Sequence, residues 1–322
     1  MEKITCPLCH SSEFKVVATH ADYSVPFSNV ICAKCVLVYA NPAPTASELD
    51  EYYKRGFIQV RHQVQSVEEA RERAQRKGSA AKYPIIGLVE KLTRESCVLE
   101  IGCSYGFLLN ALRTASGCNV QGVEPNEVSG RFASEEFGIP VLHATAEDYL
   151  KSQPAGKYDL IIISHVLEHV TDPVFVLTAL RQELKPGGEL YVCVPDVTHL
   201  QEPPESFFQV PHLTSFSPWT LHLAVQAAGY KIVRSKRNLK KPRSGMEVFA
   251  VPFEDPAAAE AHVAFLIGSD SEKVIRGIEA ARLQYAFLRR LKKIVSPLIP
   301  KKHLEAVSQK IRYWVRALSD RL

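Results

Sequence analysis

Residues 98–109 read VLEIGCSYGFLL, an apolar run that ends in a carboxylate-bearing segment and leads into a turn with two glycines. This pattern predicts a strand, a tight turn and the first turn of a helix. Glycine suits positions 102 and 106 because a residue without Cβ can take a positive φ or let a ligand approach the backbone closely. The helix N-terminus would present unpaired N–H groups to an electron-rich ligand. Taken alone, the two glycines fit a nucleotide-type site and an ordinary strand-to-helix turn equally well.

The surrounding residues 96–252 alternate between strand and helix patterns. Such alternation predicts an α/β fold with a parallel sheet and helices on both faces. The predicted strands are Cys97–Ile101, Asn119–Glu124, Asp159–Ser164, Glu189–Pro195, Tyr230–Ser235 and Met246–Pro252, with a short one near Val141–His143. Helices are predicted near 106–115, 126–137, 172–184 and 217–228. The last two strands look like a hairpin, so the final strand should run antiparallel to the others.

Polar residues fall where these strands end, at the edge at which open α/β sheets bind their ligands. Glu100 and the glycine turn follow the first strand, and Glu124 ends the second. A carboxylate at that distance from the glycines can accept both hydroxyls of a ribose. The pair Ala146-Glu147 follows the short strand and could border an adenine ring. The run Ser164-His165-Val166-Leu167-Glu168-His169 follows the next one.

These features in this order, together with Leu184-Lys185-Pro186-Gly187-Gly188, resemble the class I S-adenosylmethionine-dependent methyltransferases over roughly residues 90–252. The resemblance implies a Rossmann-like seven-stranded methyltransferase sheet and S-adenosyl-L-methionine as cofactor. It places Glu124 on the ribose, Gly102 and Gly106 beneath the methionine portion, and residues 146–147 near adenine. The full set of implied cofactor-binding residues is Glu100, Gly102, Cys103, Ser104, Gly106, Phe107, Glu124, Pro125, Ala146, Glu147, Ser164 and His165.

Ser104 departs from the family pattern, which often has a third glycine there, and we expect its φ to be negative. An NAD-dependent oxidoreductase is the nearest alternative with this sheet. It would require Gly-x-Gly-x-x-Gly, whereas Ser104 and Phe107 stand at the second and third glycine positions. The Pro-Gly-Gly turn and the histidine-containing run also have no role in that alternative.

Four of the eight cysteines form two Cys-x-x-Cys pairs, Cys6 with Cys9 and Cys32 with Cys35. Two such pairs supply the four thiolates of a closed, structural zinc site. We therefore predict an N-terminal zinc ribbon; four unliganded cysteines in a redox or core role are the alternative. Paired cysteines also occur in nucleic-acid modules, but the residues between the pairs carry no basic patch, so no nucleic-acid partner is expected.

This N-terminal part narrows the resemblance to the methyltransferases of sugar and polysaccharide biosynthesis. Some of them are sugar C-methyltransferases, which carry a Glu-His pair where this chain has Pro211-His212. The missing glutamate favours methylation of a hydroxyl on a sugar or a nucleotide- or lipid-linked saccharide. The remaining alternatives are C-methylation, another small metabolite or macromolecule as substrate, and a nucleic-acid-binding zinc ribbon with a degenerate methyltransferase body.

A hydroxyl that attacks a methyl group at neutral pH needs a base, most often a histidine. His212 and His169 are the predicted catalytic residues, since both fall where the fold places the substrate. The structural alternatives are a hydrogen bond from His212 to the preceding loop and a packing or capping role for His169 at the start of the helix after its strand. His165 is expected to line the cofactor pocket.

The charge of the chain is uneven. The formal net charge is +4, yet residues 273–322 alone hold 13 Lys and Arg against three acids. Basic amphipathic helices in this tail suit an anionic membrane surface, a partner protein or the body of the chain. No segment is apolar enough to span a membrane and no signal peptide is visible, so a cytoplasmic protein is expected, in part peripheral to the inner membrane surface.

Four parts follow from these patterns. We predict a zinc-binding ribbon over 1–45, a helical linker with cofactor-covering helices over 46–95, a methyltransferase domain over 96–254, and a basic helical extension over 255–322.

Overall fold

The computed structural model describes residues 1–22, 25–45, 47–49, 66–69, 71–72, 89, 91–151, 157–200, 207–208, 212–237, 245–254, 275–276 and 278–279. Most of the predicted helical linker and of the basic C-terminal helices lies outside these residues. Among the described residues no helix is long and apolar enough to cross a bilayer.

The chain forms two sheets. The first elements are strands β1 (Phe14–Asp22), β2 (Val25–Cys32) and β3 (Val38–Ala40). The large sheet and its helices follow as β4 (Cys97–Ile101), α1 (Phe107–Ser116), β5 (Asn119–Val123), α2 (Glu127–Phe137), β6 (Val141–Leu142), α3 (Ala146–Leu150) and β7 (Tyr158–Ser164). The remaining elements are α4 (Pro173–Glu183), β8 (Leu184–Val194), β9 (Thr214–Ser215), α5 (Pro218–Ala227), β10 (Tyr230–Arg237) and β11 (Met246–Pro252).

The large sheet has seven strands in the order β10-β11-β8-β7-β4-β5-β6. Strands β4 to β8 are parallel, whereas β11 runs antiparallel to both β8 and β10, as the hairpin pattern predicts. The central strand β7 is buried on both faces along Leu160–Ile163, because helices cover the sheet from two sides. The α/β prediction is thus confirmed, and the carboxyl ends of β4, β5 and β7 meet at one edge.

Local differences from the sequence predictions have identifiable causes. Helix α3 is absent from the prediction, although Thr145 caps it by accepting a hydrogen bond from the Asp148 backbone N–H. Residues 167–169 form a short 3₁₀ turn, so the helix after β7 begins at Pro173 and not at His169, with Asp172 as its N-cap. The Lys-Pro-Gly-Gly segment lies inside β8 as an irregular stretch: from Tyr158↔Leu184 to Leu160↔Glu189, β8 advances five residues while β7 advances two.

The small sheet joins the N-terminal part to the rest of the chain. Its order is β1-β2-β3-β9. Strand β9, from much later in the chain, therefore extends the hairpin of the predicted ribbon. Val38 pairs with Ser215 and Tyr39 with Thr214, and the Ala40 N–H donates to the Leu213 carbonyl at 2.9 Å. The N-terminal hairpin and the segment just after His212 therefore share one hydrogen-bonded sheet.

A separate apolar cluster strengthens this junction. Residues of the small sheet pack with Phe207, Phe208 and Ile278; they are Ala18, Ile31, Val36 and Val38. Ile278 belongs to the few described residues of the C-terminal extension and is only 2% exposed. Phe207 and Phe208 are thus anchored by apolar packing, and Thr214 and Ser215 by the β3–β9 pairing.

Candidate active site

The turn after β4 packs closely against the segment that follows β7. Its first glycine therefore has no room for a side chain. Gly102 has φ +73°, and a Cβ built there would lie 2.3 Å from Cγ2 of Val166. Its N–H and that of Cys103 both donate to the Val123 carbonyl, at 2.7 and 3.1 Å. These bonds tie the turn to the end of β5 and leave the backbone of Gly102 exposed to a cavity.

Ser104 adopts a φ of +47°, so the expectation of a negative φ is wrong. The turn keeps the left-handed conformation that a glycine would take here. In this conformation the backbone N–H of Ser104 donates a hydrogen bond of 2.8 Å to Oε2 of Glu124. This bond stabilises the positive φ. A left-handed conformation costs a residue with a Cβ about 1–2 kcal/mol.

Glu124 lies just beyond β5 and is only 9% exposed. Besides the bond from Ser104, its Oε1 accepts a hydrogen bond of 2.9 Å from the backbone N–H of Asn126. Burial raises the pKa of this carboxyl, and the two backbone donors act in the opposite direction. The side chain is held in one orientation, with its oxygens at the boundary of the cavity.

A cavity of about 250 Å³ lies at this edge of the sheet. Seven of the sequence-predicted cofactor residues line it, namely Gly102, Ser104, Glu124, Pro125, Ala146, Glu147 and His165. The other lining residues are Ile101, Val123, Ala144, Thr145, Val166, His169 and Val170. The carboxylate, the glycine turn and the 146–147 segment, far apart in sequence, therefore share one hollow.

The other five predicted cofactor residues lie outside the cavity lining. Gly106 is packed between α1 and α2, where an added Cβ would lie 2.8 Å from the Ala133 Cβ. Phe107 belongs to an aromatic cluster with Phe132 and Phe137. Cys103 is buried beside Gly122, Ser164 pairs with Cys193 on the neighbouring strand, and Glu100 is buried in β4.

Glu100 is the second buried acid of this edge. It is 6% exposed, and its Oε2 has no hydrogen-bond partner within the described part of the chain. Burial, and secondly the negative charge of Glu124, raise the pKa of Glu100 well above its usual range. The acid therefore favours its neutral form in the folded chain.

Two imidazoles and one carboxylate follow β7 in the run 165–169. His165 and His169 line the cavity, while Glu168 points away from water and is 2% exposed. Oε1 of Glu168 lies 3.6 Å from Nδ1 of His165 and 3.9 Å from Nε2 of His169. Burial opposes its charge, but the contact with His165 and the charges of the nearby histidines lower the pKa of Glu168 to about 2.

His212, which lies just before β9, contacts this group. Its ring lies edge-on to that of His169, with the centroids 4.9 Å apart. Its Nδ1 lies 2.7 Å from the carbonyl oxygen of Phe207, and it is 7% exposed. Because a carbonyl can only accept, Nδ1 carries the proton and Nε2 carries the lone pair. His212 therefore makes the hydrogen bond to the preceding residues that the structural alternative predicts, and it also lies beside His169.

The four paired cysteines also come together. Sγ of Cys6 lies 3.4 Å from that of Cys35, and Sγ of Cys9 lies 3.5 Å from that of Cys32. All four sulfurs lie within 4.8 Å of one another, and hydrogen bonds from Cys35 and Cys6 lower the pKa of Cys32. The cluster thus favours at least one thiolate in a largely buried setting.

Sequence reasoning did not identify Glu168 or Val166 as parts of the site. Glu168 stands between two cavity histidines in a single short run, and that spacing is the signal that could have indicated it. Val166 offers no such signal, because an apolar side chain that packs beside Gly102 and lines the cavity looks like any core residue in sequence. The carbonyl of Phe207 is equally hidden, since it acts through its backbone.

Comparison with known proteins gives the class of this chain. Residues 60–235, more than half of its length, match the family model described as a methyltransferase domain. The chain therefore belongs to the methyltransferase-domain family.

Similar curated proteins include two ubiquinone biosynthesis O-methyltransferases. The one from Actinobacillus pleuropneumoniae is 37% identical over 103 residues, which is 29% of this chain and 43% of the relative. The one from Pseudomonas aeruginosa is 35% identical over 100 residues, which is 30% of this chain and 42% of the relative. The chain spans less than half the length of these curated relatives.

A solved structure of similar fold is the 1,6-didemethyltoxoflavin-N1-methyltransferase of Burkholderia thailandensis, with bound 1,6-didemethyltoxoflavin and S-adenosylhomocysteine. It aligns with a TM-score of 0.51 and 17% identity, over 73% of this chain and 99% of that one. At this identity the similarity shows the fold alone.

Proposed function

We propose that this chain transfers a methyl group from S-adenosylmethionine to a hydroxyl oxygen. The observation that carries the proposal is the fixed, buried carboxylate of Glu124 at the edge of a cavity whose other wall is the strained glycine turn. Membership of the methyltransferase-domain family supports it. The names of the curated relatives, which specify O-methyltransferases, support oxygen as the acceptor atom.

The residues present fit the cofactor. Glu124 has two carboxylate oxygens that each already accept one backbone N–H, and their remaining lone pairs suit ribose hydroxyls. Gly102 lines the cavity with backbone alone, which suits close approach of the methionine portion. Ala146 and Glu147 would border the adenine. When bound, the cofactor supplies an electrophilic methyl group on a sulfonium.

The acceptor would enter beside His169 and His212. Positioning the nucleophile in line with the methyl carbon is a large part of the rate enhancement in such reactions. Because the Phe207 carbonyl accepts from Nδ1, the neutral ring of His212 carries its lone pair on Nε2, which is the tautomer that a base at this nitrogen requires. His212 thus serves as the base that accepts the proton of the hydroxyl.

We further propose a saccharide, free or linked to a nucleotide or lipid, as the acceptor. The resemblance of the N-terminal residues to the methyltransferases of sugar and polysaccharide biosynthesis, as judged from the sequence, supports this. A phenolic intermediate of ubiquinone biosynthesis is the second candidate, favoured by the names of the curated relatives. Incubation with S-adenosylmethionine and separate panels of nucleotide sugars and phenols, followed by mass spectrometry, distinguishes them. Methylation in neither panel would oppose both.

The four cysteines are proposed to bind one structural zinc ion. In a tetrahedral site with Zn–S bonds of about 2.3 Å, neighbouring sulfurs lie about 3.8 Å apart. The observed 3.4 and 3.5 Å between two pairs of sulfurs are close to this spacing. Zinc would then fix β3, and through the β3–β9 pairing it would hold the segment after His212. Elemental analysis of the full chain tests the ion, and less than half an equivalent of zinc would oppose it.

A further inference from the structure

Glu168, His169 and His212 form a cluster. Cofactor binding by a methyltransferase does not by itself require such a cluster. One ligand-type atom from each of the three lies within 4.8 Å of the other two. Glu168 and His212 are buried, whereas His169 lines the cavity. The three groups come from two separate segments, so their convergence is a product of the fold and not of local sequence alone.

His212 is oriented as metal-binding histidines usually are. Such residues donate one ring N–H to a carbonyl or carboxylate, which fixes the ring and the tautomer and leaves the other nitrogen to coordinate. Here the Phe207 carbonyl accepts from Nδ1 at 2.7 Å. Phe207 itself is 5% exposed and packed in the apolar cluster under the small sheet, so the acceptor is fixed as well.

Glu168 provides a second, independent observation. Its Oε2 is fully buried and has no hydrogen-bond partner among the described residues, and no Lys or Arg within that part of the chain pairs with the carboxylate. The contacts of Oε1 with the two neighbouring histidines are 3.6 and 3.9 Å long. An ionised carboxylate taken out of water requires a compensating cation or several hydrogen bonds. The buried Oε2 therefore keeps lone pairs that no described side chain or backbone group uses.

We propose that Glu168, His169 and His212 bind a divalent transition-metal cation at the acceptor side of the cavity. Two imidazoles and one carboxylate are a ligand set suited to zinc and its neighbours, and three protein ligands leave a position open for substrate. Ligand atoms of such an ion lie about 3.3 Å apart, so closing the observed spread needs small side-chain rotations. This inference rests on the proposed function and specifies how the histidine group activates the acceptor.

The positive charge of the cation defines its role in activating the acceptor hydroxyl. A hydroxyl coordinated to the cation becomes more acidic, as metal-bound water does. Its proton leaves to water, and the resulting alkoxide or phenolate forms a C–O bond with the methyl carbon as the C–S bond breaks. The electron pair of that bond stays on sulfur, which becomes the neutral thioether of S-adenosylhomocysteine. Expansion of the site to five ligands would let an acceptor with two neighbouring oxygens chelate the ion.

The test is the stoichiometry and spectrum of Co²⁺ in the full-length chain. Metal bound by the four cysteines gives sulfur-to-metal charge-transfer absorption, whereas the proposed site contains no sulfur. We expect two Co²⁺ per chain, of which only one contributes that absorption. His169→Ala and Glu168→Gln should each lose the second equivalent and keep the first. His143→Ala, an exposed histidine outside the cavity lining, is the matched control and should keep both.

Binding of S-adenosylhomocysteine is measured in parallel on every variant. Wild-type chain that binds this nucleoside but only one Co²⁺ would overturn the metal proposal and leave the proposed function intact, with His212 as the base. A second equivalent that survives in both Glu168→Gln and His169→Ala would also overturn it. Failure of the wild-type chain to bind the nucleoside would instead count against the proposed function. If Glu168→Gln fails to fold, His169→Ala and the wild-type stoichiometry still decide the question.

Discussion

Glu124→Gln removes the negative charge at the centre of the proposed cofactor site and changes little else in shape. In the wild-type chain both carboxylate oxygens accept backbone hydrogen bonds, from Ser104 at 2.8 Å and Asn126 at 2.9 Å. A glutamine has only one oxygen, so its NH₂ group must face one of these backbone donors. The substitution therefore weakens the turn as well as the contact with the ribose.

The two effects have separate magnitudes. A hydrogen bond to a charged group contributes about 1.5–3 kcal/mol, so affinity for S-adenosylhomocysteine should fall by about 10- to 150-fold. The unsatisfied backbone donor should lower the free energy of unfolding by about 1–3 kcal/mol. Binding is measured by isothermal titration calorimetry well below the unfolding transition, and stability by urea denaturation.

Glu127→Gln is the matched control for this experiment. Glu127 is an exposed carboxylate in the first turn of α2, close to Glu124 in sequence, and it does not line the cavity. Loss of its favourable interaction with the helix dipole should cost less than about 1 kcal/mol of stability and leave affinity almost unchanged. A folded Glu124→Gln chain that binds as tightly as this control would refute the role assigned to Glu124.

Three further outcomes are expected. Ser104→Gly should raise the free energy of unfolding by up to about 1 kcal/mol, because glycine takes a φ of +47° without strain; a lower urea midpoint would contradict this. Glu100 has a folded-state pKa raised above its unfolded value, so its contribution to stability is complete at low pH and is lost as the pH rises through the folded-state pKa; Glu100→Gln should therefore flatten the pH profile of stability, and an unchanged profile would oppose the reasoning. Cys6→Ser combined with Cys35→Ser should abolish zinc binding and lower the rate of methyl transfer by at least about tenfold through displacement of His212, while affinity for S-adenosylhomocysteine stays within about threefold; loss of affinity instead of rate would contradict the proposed path.

Much of the large sheet was predictable because its signals are local. The run Leu160–Ile163 is apolar throughout, as expected of a strand that is covered on both faces. The turn after β4 is recognisable from its two glycines. Glu124 could be located from its distance to the turn. The structure brings Glu124 and the glycine turn to one edge of the sheet, where both line the cavity.

The acceptor side was less accessible to sequence reasoning because its geometry is set by contacts between distant segments. Strand β9 is only two residues long and exists because β3 pairs with it, so no periodic pattern marks it. The positive φ of Ser104 depends on the acceptor supplied by Glu124, twenty positions further on. The tautomer of His212 likewise depends on a backbone carbonyl that carries no side-chain signature.

The link between the cysteine cluster and the histidine group gives the N-terminal part a physical role. Through β3 and β9 it supports the chain immediately after His212, and through the apolar cluster it supports Phe207, whose carbonyl orients that ring. Both supports act on the segment that holds His212, and Glu124 is not among the described residues of either. We therefore expect changes in the cysteine cluster to alter catalysis more than cofactor binding.

A crystal structure of the full-length chain with bound S-adenosylhomocysteine tests the central claim most directly. The account predicts that both ribose hydroxyls donate to the Glu124 carboxylate, that the adenine lies against Ala146 and Glu147, and that the sulfur faces His169. A nucleoside bound elsewhere, or bound in this cavity with its ribose turned away from Glu124, would contradict it.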